Sequence, residues 1–168
     1  MRITGIDLGQ VGGFFKLNAD EANAVEWGTF EARKGTGDGE GAMFMRLQNR
    51  LDEVLADRPD LVTFEDVRFV VPKMRGSLVQ VRMGGIVQMR CEQLGLEYAG
   101  VNVSTLKKFA TDNGRCEKWE MKAALRSWWM ENLDRHWPDN IGSHAVDAAW
   151  AAIWGWKVHA PTLVGLEF

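Results

Sequence analysis

Residues 2–9, Arg2-Ile3-Thr4-Gly5-Ile6-Asp7-Leu8-Gly9, decide how the rest of the chain is read. Ile3 and Ile6 stand among small residues, and the stretch runs into Gly9, Gly12 and Gly13. That pattern predicts a strand over Arg2–Asp7, a turn, and a second strand over Gly13–Leu17. Val25–Phe30, followed by a polar glycine-rich segment, predicts a third strand and so a meander. Gly35–Gly41 lacks a phosphate-binding lysine pattern and is read as a connection, not a nucleotide loop.

Further along, Met43, Phe44, Leu47, Leu51, Val54 and Leu55 recur at helical spacing and predict a helix over Ala42–Ala56, closed by Arg58-Pro59. Leu61–Glu65 is a short apolar strand with an acidic end. Ser77–Leu94 reads as a long helix, in which Gly84-Gly85 should cost about 1 kcal/mol each relative to alanine. Such a cost suggests close backbone packing there, including against a partner chain. Leu96–Val101 is a further strand, and Ser104 is placed to cap a short helix carrying Leu106 and Phe109, broken by Asn113-Gly114. Helices over Glu117–Leu133 and Ser143–Val158 complete a mixed α/β order: a five-stranded sheet flanked by helices.

The chain has 168 residues, 46% of them hydrophobic and 26% charged, which suits one globular domain spanning 1–168. No apolar run is long enough to cross a bilayer, and the Met1 end lacks a signal-peptide core, so a cytoplasmic protein without a membrane association is expected. Cys91 and Cys116 share no metal or disulfide spacing and are read as reduced bystanders. The net charge of -3 conceals a split. Residues 1–66 carry 7 Lys/Arg against 13 Asp/Glu, residues 67–126 carry 11 against 5, and residues 127–168 carry 2 against 5. A local positive field in the middle segment is what a polyphosphate requires, although solvated helix faces produce the same count.

Two predicted strands deliver a carboxylate at their carboxyl ends, Asp7 and Glu65. Side by side, such like charges demand a cation or a raised pKa. His144 and Asp147, three residues apart at a helix start, share one helical face. Pooled, Asp7, Glu65, His144 and Asp147 are mostly hard oxygen donors with one imidazole, a set suited to Mg2+ or Mn2+ more than to structural zinc. Taken singly, each has a plainer reading: a turn-closing aspartate, a paired edge glutamate, a capping histidine.

Four motifs occur in order along nearly the whole chain: Gly5-Ile6-Asp7-Leu8-Gly9, the acid-ended strand at Glu65, Ser104–Phe109 running through Asn113–Lys118, and His144–Ala152. In this the chain resembles the RuvC-type Holliday junction resolvases, the divergent bacteriophage members in particular. The resemblance implies a ribonuclease H-like fold, a homodimer, and the activity of a crossover junction endodeoxyribonuclease acting on four-way junctions. For a phage-encoded member, the host cytoplasm is the compartment implied. Carried over by position, the acidic tetrad is Asp7, Glu65, His144 and Asp147. Family members differ between aspartate and histidine at the place of His144, which leaves Mg2+ against Mn2+ open.

Lys107 and Lys118 match the lysines that approach the scissile phosphate, with solvated helix charges as the plainer alternative. The implied mechanism is in-line hydrolysis with two Mg2+ ions, roughly 3.5–4 Å apart and bridged by Asp7, Mn2+ substituting. Its products are a 5′-phosphate and a 3′-hydroxyl. Arg68, Phe69, Lys73 and Arg75 read as a loop beside the site, and the resemblance makes Phe69 a wedge against an unstacked base; a core phenylalanine is the alternative. With Lys107, Lys108, Arg115, Lys118 and Lys122, these residues form the candidate DNA-binding set.

Of eight tryptophans, Trp128, Trp129, Trp150, Trp154 and Trp156 have a helical spacing suited to packing on the sheet, whereas Trp119, beside Lys118, is placed to reach DNA. Three rival readings remain. One is a related nuclease cutting flaps, forks or RNA–DNA hybrids, and another is a DNA-structure binder without catalysis. The third is an ATPase of the sugar kinase and actin class, whose first phosphate motif Gly5–Gly9 also resembles. That fold needs two lobes and a later glycine-rich adenine loop, and 168 residues are too few for it.

Overall fold

A computed structural model of the chain describes residues 1–67, 75–133 and 136–160. The elements are β1 (Arg2–Asp7), β2 (Val11–Asn18), β3 (Asn23–Glu31), α1 (Glu40–Val54), β4 (Leu61–Glu65), α2 (Arg75–Leu94), β5 (Glu97–Val101), α3 (Val103–Thr111), α4 (Lys118–Asn132) and α5 (Ser143–Trp154), with α5 widening into a π turn over Gly155–His159. The strands form one sheet in the order β3-β2-β1-β4-β5. The meander β1–β3 is antiparallel, while β1, β4 and β5 run parallel. This is the mixed α/β sheet flanked by helices that the sequence predicts.

The sheet buries both faces, so its central strands carry apolar residues on both sides. On one face, α3, α4 and α5 cover Ile3, Phe15, Leu17 and Leu61. On the other, α1 and α2 cover Ile6, Val62 and Phe64 through Leu47, Leu51, Met83 and Val87. Each of these fully buried apolar side chains contributes about 1.5–3 kcal/mol of burial. Odd and even positions of β1 therefore serve different layers, and Asp7 falls on the α5 side with Ile3 and Gly5.

Several local expectations are corrected. The cap of α3 is Asn102, whose Oδ1 accepts from the Ser104 amide at 2.9 Å and from its hydroxyl at 2.7 Å. This helix ends at Thr111, before Asn113-Gly114, because Asp112 takes the left-handed conformation at φ 59°. The last helix is α-helical only to Trp154, with the π turn carrying the remainder to His159. Among the described residues, no close backbone packing surrounds Gly84-Gly85. Of these residues, a Cβ on Gly84 would meet only the Phe64 ring at 3.7 Å, and one on Gly85 would meet none within 4 Å. Among the described residues, no helix is long and apolar enough to cross a membrane.

Candidate active site

The register of β1 against β4 pairs Ile6 with Phe64, so Asp7 and Glu65 follow at the adjoining carboxyl ends of parallel strands. Both lie on the face covered by α5. That helix sits unusually close to the sheet, since a Cβ on Gly5 would overlap the backbone of Ala148 and Ala152, and one on Gly13 would overlap the backbone of His144 and Ala145. Beside Asp7, Gly5 thus admits the backbone of α5. With α5 seated there, its first turn and a half places His144 and Asp147 over Asp7.

His144 Nδ1 is hydrogen-bonded to Asp7 Oδ2 at 2.6 Å, and Lys118 Nζ donates to Asp147 Oδ2 at 3.1 Å. Asp147 is 17% exposed and Lys118 62%, so the pair bridges the buried carboxylates and solvent. Burial raises the Glu65 pKa to about 7, helped by the Asp7 and Asp147 charges and opposed by Lys118 and Lys107. Burial also raises Asp7; the His144 hydrogen bond pulls the other way, and Asp147 adds to the rise. For Lys118, burial works against the ammonium, but Asp147, Asp7 and Glu65 together outweigh it and raise its pKa.

These groups open onto one cavity of about 350 Å3, lined by Asp7, Glu65, His144, Asp147, Lys107 and Lys118 together with Leu8, Gly9, Val11, Gln80, Val103, Leu106 and Met121. All six residues expected to carry chemistry thus meet in one place. Among the described residues, no three His, Cys, Asp or Glu side chains stand close enough to hold an ion as they are placed. Instead, His144 is hydrogen-bonded to Asp7, and Lys118 supplies the countercharge to Asp147. The donor chemistry nevertheless fits a hard divalent cation. Three carboxylates and an imidazole face the same cavity, and the ionisation of Glu65 is suppressed by burial and by its acidic neighbours, a penalty that a cation would relieve.

Lys107 donates to the Cys116 carbonyl at 2.6 Å, which ties α3 to the loop leading into Lys118. Lys122 donates to the Ile141 carbonyl at 3.0 Å and so tethers the segment preceding α5. Lys108 and Arg115 are exposed and do not line the cavity. Arg68, Phe69 and Lys73 lie outside the described residues, as does the side chain of Arg75. Trp27 and Trp137 each pack edge to face on Trp129, with ring centroids 5.5 Å apart, and Trp150 Nε1 donates to the Met121 carbonyl, so these rings pack in or against the core. Sequence reasoning missed Gln80, whose Nε2 donates to the Leu8 carbonyl at 3.3 Å, beside Asp7. A glutamine inside an apolar helix pattern carries no signal of which loop it will meet.

No protein-family model matches the sequence, and no curated protein does. Solved structures do match. The RuvC of Thermus thermophilus is 17% identical with a TM-score of 0.68, the alignment covering 95% of this chain and 97% of that one. T. thermophilus RuvC in complex with Holliday junction substrate is 18% identical with a TM-score of 0.72, over 96% and 98% of the two chains. The yeast mitochondrial Holliday junction resolvase Ydc2 is 13% identical with a TM-score of 0.66, over 98% of this chain and 81% of that one. The chain shares their ribonuclease H-like fold over nearly its whole length.

Proposed function

We propose that this chain is a divalent-metal-dependent endonuclease that resolves four-way DNA junctions, its nuclease domain spanning 1–168. The observation that carries the reading is the convergence of Asp7, Glu65, His144, Asp147, Lys107 and Lys118 on a single cavity at the carboxyl ends of β1 and β4. The fold shared with junction resolvases supports the same reading.

Asp7, Glu65, His144 and Asp147 would hold the metal, Mg2+ with Mn2+ as a substitute. Divalent ions supply charge at the phosphodiester and make water a stronger nucleophile at neutral pH. The remaining work falls to the chain. His144 orients the Asp7 carboxylate, and Lys118 reaches from solvent to Asp147, a position from which its ammonium can offset charge on a phosphoryl group. Lys107 holds the Cys116 carbonyl and with it the approach to Lys118. Hydrolysis adds water across the P–O3′ bond, leaving hydroxide oxygen on phosphorus and the proton on the departing 3′ oxygen.

A labelled immobile four-way junction with Mg2+ or Mn2+ should yield symmetric nicks, and Asp7→Asn should abolish them while junction binding persists. Cutting by that variant would remove Asp7 from the mechanism. Equal rates on junction, fork, flap and RNA–DNA hybrid at one salt concentration would favour the broader nuclease reading over junction resolution. Symmetric cutting calls for two copies. The outward face of α2 supports a homodimer, since Leu78, Val81 and Met89 are exposed along one stripe with Gly85 between them. Sedimentation should give twice the chain mass, and Val81→Asp should give the monomer.

A further inference from the structure

We infer that Trp119 is a base-stacking residue selecting DNA whose stacking is interrupted beside the cut; the inference rests on the nuclease reading of the cavity. Trp119 is 72% exposed, and no other tryptophan, phenylalanine or tyrosine among the described residues is an exposed side chain. It follows Lys118, whose Nζ lies 3.1 Å from Asp147 at the cavity. Successive residues of a helix project about 100° apart with a rise of about 1.5 Å, so a phosphate drawn to Lys118 brings its neighbouring nucleotides alongside the indole. Nucleotides in a stacked strand rise only about 3.4 Å each.

The start of α4 disfavours anions. Glu117 and Glu120 form a reciprocal capping box, with the Glu117 amide donating to Glu120 Oε2 at 2.6 Å. The two carboxylates place negative charge where a phosphate would otherwise be drawn. The first turn of α4 therefore offers DNA one cation and one aromatic face. An indole left in water forgoes burial of its apolar surface, and a nucleobase can cover it irrespective of sequence, because every base has a π face. A base inside an intact duplex has both faces covered already. Only a nucleotide unstacked next to the phosphate at Lys118 can meet Trp119, which favours branched over linear DNA.

The test uses the full chain in an Asp7→Asn background, which separates binding from cutting. Affinities are measured for an immobile four-way junction and for a linear duplex of the same sequence. Trp119→Ala should weaken junction binding about 5- to 150-fold, the range for one lost base stack, and leave duplex binding unchanged. Trp119→Phe should restore most of the loss. A 2-aminopurine next to the scissile phosphate should be quenched on binding when Trp119 is present and not when it is alanine. Equal losses on junction and duplex, or no loss on either, would overturn the inference, the second outcome pointing to a protein partner for the indole. Failure of the unmodified chain to cut the junction with Mg2+ or Mn2+ would defeat the nuclease reading while leaving the binding contrast readable. Absence of any DNA binding would defeat both.

Discussion

The two faces of the sheet are packed in different ways, and the difference explains where the chemistry sits. On the α5 face the contact is backbone to backbone: Gly5 and Gly13 receive a helix whose inward residues are Ala145, Ala148, Ala149 and Ala152. On the α1 and α2 face the contact is made by large side chains, Leu47, Leu51, Phe64, Met83 and Val87. Rotamers can absorb a change in volume on the second face, but main chain cannot on the first. His144 and Asp147 ride on the helix that has no freedom to move, so the site inherits its tolerance from the glycines beneath it.

That contrast can be broken most sharply with Gly5→Ala. A methyl group there would overlap the Ala148 carbonyl, and α5 would have to lift. We expect a destabilisation of about 1–3 kcal/mol by thermal melting, with loss of junction cleavage even at temperatures where the chain is fully folded. Leu47→Ala on the opposite face should cost about 2–5 kcal/mol, a comparable or larger loss of stability. Its cleavage, measured below the lowered Tm, should persist. Cleavage lost in both variants, or in neither, would mean that the two faces do not differ in the way described.

A subtler effect sharpens the comparison through Glu65, the buried acid on the rigid side. Its folded pKa of about 7 lies above the ordinary value of 4.5. Between those values the folded chain keeps a proton that the unfolded chain has released. The contribution is fully present below pH 4.5 and is lost as pH rises through about 7. Metal-free protein should therefore lose Tm across that window, and Glu65→Gln should flatten the loss. Added Mg2+ or Mn2+ should raise Tm more at pH 8 than at about pH 5, because the ionised carboxylate is the ligand form. The smallest effect concerns a cap at the start of α3: Asn102→Ala removes it and should cost about 1 kcal/mol with cleavage intact, whereas Ser104→Ala should cost less.

Much of the site was legible because its parts are local. Asp7 and Glu65 end short apolar strands, and His144 and Asp147 share a helical face through their spacing alone. The cap of α3 was misread because Asn102 and Ser104 are both good cap residues two positions apart, and only the backbone angles distinguish them. Gly9, Gly12 and Gly13 were read as marking a turn between strands, whereas Gly5 and Gly13 admit the approach of α5. The pairing of Lys118 with Asp147, and of Lys107 with the Cys116 carbonyl, has no periodic signature.

The order of residues was enough to specify strands, helices and the acids that close them, since periodicity and chain breakers act over a few residues. It did not say that β4 would lie parallel to β1, with Phe64 level with Ile6, or that α5 would settle onto glycine. Those are contacts between segments tens of residues apart. They are chosen by which arrangement buries both faces of the sheet at once, and that choice is made by the whole chain and by no part of it.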